Sequence, residues 1–416
     1  MPGLIKKVLI AKEQGVLKKK IRRKLKRYFR VLTGKANKSC KYWYKHTTLQ
    51  NNKVMFLTFQ GKYTCNPKYI CDEIIRQKLD WDLVWVVNDL EHISESEFPS
   101  QVRLVQKNTP DYYRELYSAH IWVDNAFCAV WKKVIKRPEQ VYIETLHGSL
   151  GIKKIGPEDV NDEKRNHRGY RCGRLADYCI SNSSFETEVY RSSFWPETEI
   201  LEYGHARNDF LLTKDESLIK KTREKVHKFF SIPEDVNVAM YAPTFREKGI
   251  RGVEEQIEEI NFKVLKKALV NKFGGKWEII CRTHTRDVGK REAIENIKGI
   301  YDGATYPDMQ ELILGVEVGI TDYSSWIFDY VLLKKPGFIY APDLKYYDVE
   351  RGFYYPLKST PFPLGKSNTE LKKVIEEFDN EKFLKDVEKF LEEKGCIEDG
   401  QASKRIVQKM REIMEV

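Results

Sequence analysis

Apolar residues fall along this chain in two rhythms. Short runs rich in β-branched residues stand at 54–58, 83–87, 102–105, 121–123, 141–145 and 178–181, and a second series at 236–241, 278–281, 316–321 and 338–340. Between them, at 67–79, 110–118, 215–230, 254–272 and 307–315, apolar positions recur every three to four residues. The first rhythm predicts buried strands, the second amphipathic helices. Their alternation predicts an α/β fold whose parallel sheets are covered on both faces. Two series in succession predict two Rossmann-like domains, residues 47–206 and 207–416, facing a cleft at the carboxyl ends of their strands. The crossing near 205–212 is the expected hinge. Charged amphipathic segments at 368–378, 381–394 and 400–414 close the chain, and one of them could pack back across that hinge.

Ahead of this body the pattern changes. Leu17, Ile21, Leu25, Tyr28 or Phe29, and Leu32 keep helical spacing, and nine Lys and Arg between Lys18 and Arg30 border the stripe. Residues 1–46 hold 16 basic residues and one acid, Glu13, so the net charge of +11 divides into +15 on this arm and −4 on the rest. A basic amphipathic helix of this kind suits an anionic membrane surface, where apolar residues enter the interface and cations meet phosphates. Tyr42, Trp43 and Tyr44 could extend the contact. The alternatives are a helix packed on the body and a nucleic-acid arm. The apolar stripe, and the lack of any nucleic-acid module after it, argue against nucleic acid.

With 416 residues and 41% apolar content, the chain can bury two sizeable cores. A charged fraction of 32% fits a soluble or peripheral globular protein rather than a disordered one. Eight cysteines with no C-x-x-C pair argue against a zinc or disulfide framework and favour a reducing cytosol. No run of 18 apolar residues is present to cross a bilayer, and the N-terminus lacks the apolar core of a signal peptide.

Candidate chemistry clusters at the ends of expected strands. His147-Gly148 follows 141–145; an imidazole there would face the cleft and could take a proton from a hydroxyl, or could simply cap the strand. Lys153 and Lys154 could bind a phosphorylated acceptor or form a solvated face. Asp322-Tyr323-Ser324-Ser325 follows 316–321 and opens a helix, where hydroxyls and N–H groups can cradle a phosphate or merely cap the helix. Arg282, His284 and Arg286 form a compact cationic cluster suited to a pyrophosphate, with surface ion pairing as the alternative. Thr244 and Arg246 follow the strand at 236–241. The segment 161–174, with Arg165, His167, Arg168, Arg171 and Arg174, reads as a loop, either solvated or facing an anionic acceptor.

Taken in order, these motifs resemble a known family. Gly61-Lys62 with Asn66-Pro67, His147-Gly148, Gly204 with Arg207-Asn208-Asp209, Tyr241 to Thr244 with Arg246, His284, Thr321 to Ser325 with Asp329, and Arg351-Gly352-Phe353 together resemble the CDP-glycerol glycerophosphotransferases of teichoic acid synthesis, from about residue 50 to 360. The resemblance implies a GT-B-like fold with an acceptor-side N-terminal domain and a CDP-alcohol-binding C-terminal domain. It implies transfer of glycerol or ribitol phosphate to a polyprenyl-diphosphate-linked acceptor at the cytoplasmic face of the membrane, with release of CMP. By that resemblance His147 is the general base, and His284 meets the donor phosphates. Ser324 and Ser325 form the phosphate cradle that Asp322 orders. Arg282, Arg286, Thr244, Arg246 and Asp329 lie on the donor side, and Lys153, Lys154, Arg168 and Arg171 on the acceptor side. No carboxylate cluster demands a metal, although a divalent ion and a homo-oligomer are both compatible with the family. The chain departs from the family at Ser149-Leu150-Gly151, Ala206 and Thr285, which bears on the identity of the acceptor and of the transferred alcohol. A nucleotide-sugar glycosyltransferase and a non-catalytic membrane scaffold are the other function classes.

Overall fold

The computed structural model describes residues 40–131, 134–156, 163–244, 259–283 and 297–415. The amphipathic stripe at 17–32, together with Arg246, His284 and Arg286, lies outside these described residues. Among the described residues, thirteen strands form two sheets. The first contains β1 (Gln50–Leu57), β2 (Asp82–Val87), β3 (Val102–Gln106), β4 (Ala119–Asp124), β5 (Val141–Glu144), β6 (Tyr178–Ser181) and β7 (Glu199–Glu202), in the order β3-β2-β1-β4-β5-β6-β7. The second contains β8 (Val236–Tyr241), β9 (Lys276–Cys281), β10 (Ile300–Asp302), β11 (Val318–Thr321), β12 (Gly337–Tyr340) and β13 (Leu364–Gly365), in the order β10-β9-β8-β11-β12-β13. Every strand pairing is parallel. Helices cover both faces, so central strands such as Val54 to Leu57 and Leu83 to Val87 are apolar and buried on both sides.

The helices start where side chains can receive their first N–H groups. Thr109 accepts from Tyr112 with Pro110 at the first helical position, Ser183 accepts from Glu186, and Asp215 accepts from both Ser217 and Leu218. The segment at 161–174 is not a loop: Glu163–Gly173 is a helix, and Gly169 and Gly173 let it lie against Phe194, where an added Cβ would stand 2.5 Å and 1.7 Å from Phe194 atoms. The helix expected at 254–272 runs over Phe262–Phe273, capped by Asn261. Trp43 and Tyr44, read as interfacial aromatics, pack instead against the N-terminal core from the helix Cys40–His46, with Tyr44 edge-on to Tyr117; Tyr42 is exposed.

The two halves interlock. Leu150 and Ile152, which follow β5, are buried in the core of the second sheet. In the other direction, Ile406, Val407 and Met410 of the final helix, Ala402–Glu415, are buried in the core of the first. Full burial of such side chains stabilises by about 1.5–3 kcal/mol each. The start of that helix is fixed by Asp209, whose carboxylate accepts from Ala402 N at 2.9 Å and Ser403 N at 2.7 Å. None of the eight cysteines is in a disulfide. Among the described residues no helix is long and apolar enough to cross a membrane.

Candidate functional site

In each sheet the strand order reverses at one place, between β1 and β4 and between β8 and β11, and loops leaving neighbouring strands there diverge to open a crevice. The sequence motifs leave the carboxyl ends of these strands and their neighbours. Phe59 follows β1, Asn125 follows β4 and His147 follows β5; Thr244 follows β8, Arg282 follows β9 and Asp322 follows β11.

On the N-terminal side His147 is exposed, and its Nδ1 lies 2.6 Å from the carbonyl of Asn125. A carbonyl can only accept, so Nδ1 carries the proton and the ring's lone pair is on Nε2. Phe59 lies nearly parallel to the imidazole, 22° between planes with centroids 6.4 Å apart. Its backbone N–H donates to Asn125 Oδ1 at 3.0 Å, so Asn125 orients both rings. Gly61 (φ 72°) makes the turn behind Phe59; a Cβ there would meet Asn88 N and Val87 Cα at 2.8 Å. Beneath the loop, buried Glu144 accepts from Leu146 N at 3.0 Å, and Tyr142 Oη donates to both Glu144 and Asp124. Burial first, then repulsion from Asp124, pushes the Glu144 carboxyl up to about 8; burial raises Asp124 as well.

Arg207 joins this loop to the other half. It is 2% exposed, and its Nε and Nη2 donate to the two oxygens of Asp329 at 2.8 Å and 3.1 Å. The same Nη2 donates to the carbonyl of Gly148 at 2.6 Å. Burial opposes its charge, but Asp329 offsets this and holds the guanidinium above its ordinary pKa. Asn66 completes the clamp: Oδ1 accepts from Arg207 N, and Nδ2 donates to the carbonyls of Thr145 and Leu146, each at 3.2 Å. Gln310 Nε2 donates to Asp329 Oδ2 at 3.1 Å. A second link between the halves brings Lys68 Nζ to 3.5 Å and Tyr69 Oη to 3.3 Å from Asp308.

On the C-terminal side Asp322 Oδ1 accepts from Thr244 N at 2.8 Å and from Tyr323 N, which ties together the two loops at the β8/β11 switch point. Ser324 and Ser325 follow, half-buried. The helix after them, Ile327–Tyr330, is a single turn continued by a 3₁₀ turn, so hydroxyls and local N–H groups, rather than a long dipole, are what this loop can offer an anion. Asp329 does not face outward as a donor contact: it is buried and engaged by Arg207 and Gln310. Arg282 turns Nη1 to the carbonyls of Gly303 and Tyr306, and burial lowers its pKa to about 10.

The acceptor-side cations are dispersed. Lys153 bridges antiparallel to Phe353 and Lys154 N donates to Gly352 O at 3.2 Å, so both lie on a strap joining the halves. Arg171 donates to the carbonyls of Val130 and Val134, which braces the Glu163–Gly173 helix against the preceding loop, and Arg168 is half-buried on the same helix. The motifs alone gave no role to Phe59, Asn125, Gln310 or Asp308. Phe59 and Asn125, directly beyond β1 and β4, could have been found by their position at a strand end.

The sequence matches the family described as CDP-Glycerol:Poly(glycerophosphate) glycerophosphotransferase over residues 41–412. It is 32% identical over 375 residues to the teichoic acid glycerol-phosphate transferase of Staphylococcus aureus, covering 86% of this chain and 92% of that protein. It is 28% identical over 381 residues to the teichoic acid poly(glycerol phosphate) polymerase of Staphylococcus epidermidis, covering 87% of this chain and 51% of the relative, so the chain spans about half the length of that polymerase. A histidine-to-alanine variant of the wall teichoic acid polymerase TagF superimposes with a TM-score of 0.79 at 25% identity, covering 95% of this chain and 98% of that one. TagF soaked with CDPG gives 0.77 at the same identity, covering 95% and 97%. With its two parallel-sheet Rossmann-like domains and motifs matched across nearly the whole body, this chain belongs to the CDP-glycerol:poly(glycerophosphate) glycerophosphotransferase family.

Proposed function

We propose that this protein transfers glycerol phosphate, or a related polyol phosphate, from a CDP-alcohol to a membrane lipid-linked acceptor in teichoic acid or related polymer synthesis, releasing CMP. The observation that carries the reading is the meeting of two loops: Arg207 bonds the carbonyl next to His147 and, through Asp329, the segment that bears Ser324 and Ser325. That arrangement suits one substrate on each side. The acceptor hydroxyl enters beside Phe59 and His147. His147 Nε2 takes its proton as the oxygen attacks the β-phosphorus of the donor, which forms a new P–O bond. The bond from that phosphorus to the bridging oxygen breaks, and CMP leaves with the electron pair. General-base assistance of this kind is worth about 10²- to 10⁴-fold. Ser324, Ser325 and the Asp322-ordered loop take the donor phosphates, with Arg246 and His284 assigned there by resemblance and Arg286 by its place in the cationic cluster with Arg282. The soaking of a TagF variant with CDPG supports the choice of donor.

The acceptor is held in a bilayer, and residues 1–46 with their charge of +15 would keep the enzyme at the cytoplasmic membrane face, raising its effective concentration near that acceptor. The test is incubation of the full chain with a lipid-linked disaccharide and CDP-glycerol, CDP-ribitol or a UDP-sugar. The reading expects CMP and a polyol phosphate added to the lipid. Uridine nucleotide release with a sugar added, or no transfer from either CDP-alcohol, would overturn it.

A further inference from the structure

We infer that the buried Arg207–Asp329 pair is a positioning device for the transfer reaction: it sets the His147 loop against the donor-side loop, and so governs turnover rather than donor binding. The inference rests on the role proposed for His147.

A buried ion pair is weak evidence for stability, because desolvation of both charges can match or exceed their attraction, and apolar residues of the same volume often serve the fold as well. The arrangement of donors around Arg207 indicates what the pair does instead. Its fork spans both oxygens of Asp329, while Nη2 also holds the Gly148 carbonyl and the backbone N–H is held by Asn66. Asn66 in turn holds the carbonyls of Thr145 and Leu146. The carbonyls of the residue before His147 and of the residue after it are thus held, by Asn66 and by Arg207 respectively.

The loop needs such fixing. Leu146 has φ 49° and Leu150 has φ 40°, both in the left-handed region that costs a residue with a side chain about 1–2 kcal/mol. Strain of this kind persists only where surrounding contacts over-determine it. At the far end of the pair, Asp329 stands four residues beyond Ser325 and is pinned by Gln310. Two hydrogen-bonded steps therefore connect the residue after the imidazole to the segment that carries the cradle serines. Displacement of a reacting group by about 1 Å can cost on the order of 10²-fold in rate.

The test uses the full chain, CDP-glycerol and a lipid-linked disaccharide. Arg207→Lys keeps the charge but loses the fork; Asp329→Asn keeps the shape and one acceptor oxygen, and serves if the first variant melts below the assay temperature. Either change should lower kcat about 10- to 100-fold while KM for CDP-glycerol stays within about twofold. In a His147→Ala background, single-turnover CMP release should show no further loss, since a residue acting through His147 has nothing left to act on. An equal loss in both backgrounds, a rise in KM at unchanged kcat, or wild-type turnover in either folded variant would overturn the inference. If His147→Ala itself turns over normally, the proposed function's base assignment fails first and this inference with it. An inactive His147→Ala beside a fully active Arg207→Lys sinks the positioning role alone.

Discussion

His147 and His205 each stand beside a glycine just beyond a strand of the same sheet, and their surroundings are opposite in kind. His147 is exposed, with Nδ1 on a backbone carbonyl at 2.6 Å and an aromatic ring alongside. His205 is fully buried just beyond β7, with Nε2 3.1 Å from Glu186, while its backbone N–H donates to Glu398 at 3.1 Å. Glu398 also accepts from Asn182 and Asn208, and it precedes the helix that returns to the N-terminal core. A carbonyl partner fixes which ring nitrogen carries the proton. A buried carboxylate partner turns the ring into part of the framework. Residue type and strand-end position do not separate the two; the partner and the burial do.

The largest effect expected from breaking this contrast is on catalysis. His147→Ala should lower transfer at least about 10²-fold, with melting temperature and CDP-glycerol affinity near wild type, because an exposed ring contributes little to the fold. Turnover within a few-fold of wild type would remove His147 from the base role.

His205→Ala should do the reverse. It leaves the buried Glu186 without its neighbour and opens a cavity, and should cost about 2–3 kcal/mol of stability, seen as a lower midpoint in urea unfolding. Turnover per folded molecule, measured below the transition, should stay within about threefold. A collapse of turnover at unchanged stability would place His205 in the chemistry and erase the contrast.

How much of this was open to inspection in the sequence follows from the range of the forces involved. Central strands such as β1, β2 and β8 are apolar on both faces, a local signal. The short strands β7, β10 and β13 were missed; Glu199, Glu202 and Asp302 dilute two of them, and β13 has only two residues. The helix Glu163–Gly173 was read as a loop because it is polar, basic and anchored through small residues, Gly169 and Gly173, rather than an apolar stripe. At the site, His147, Asp322, Ser324 and Ser325 were legible as strand-end residues. Asp329 was legible as a site residue but not as Arg207's partner, since 122 residues separate them. Arg282 and Arg171 read as donor-side and acceptor-side cations, yet each reaches carbonyls more than 20 residues away, partners that only tertiary packing provides.

The smallest effect concerns what lies under the His147 loop, where the contrast can be sharpened without touching either ring. Glu144 supports Leu146, the residue before His147, and its carboxyl sits at about 8 in the folded protein against an ordinary 4.5. Between those values the folded chain keeps a proton that the unfolded chain has released. Stability must therefore fall as pH rises through this window and level off above it, with a slope approaching about 1.4 kcal/mol per pH unit for one proton. Glu73, Asp82 and Glu115, whose values are lowered on folding, finish titrating below the window and cannot mask the trend. Calorimetry at pH 5.5, 6.5 and 8 should show wild-type Tm decreasing and a flatter profile for Glu144→Gln, which cannot ionise. A wild-type Tm that rises over this range, or a Gln variant that follows wild type, would mean that Glu144 is charged in the folded state. The His147 loop would then rest on an anion rather than on a neutral acid.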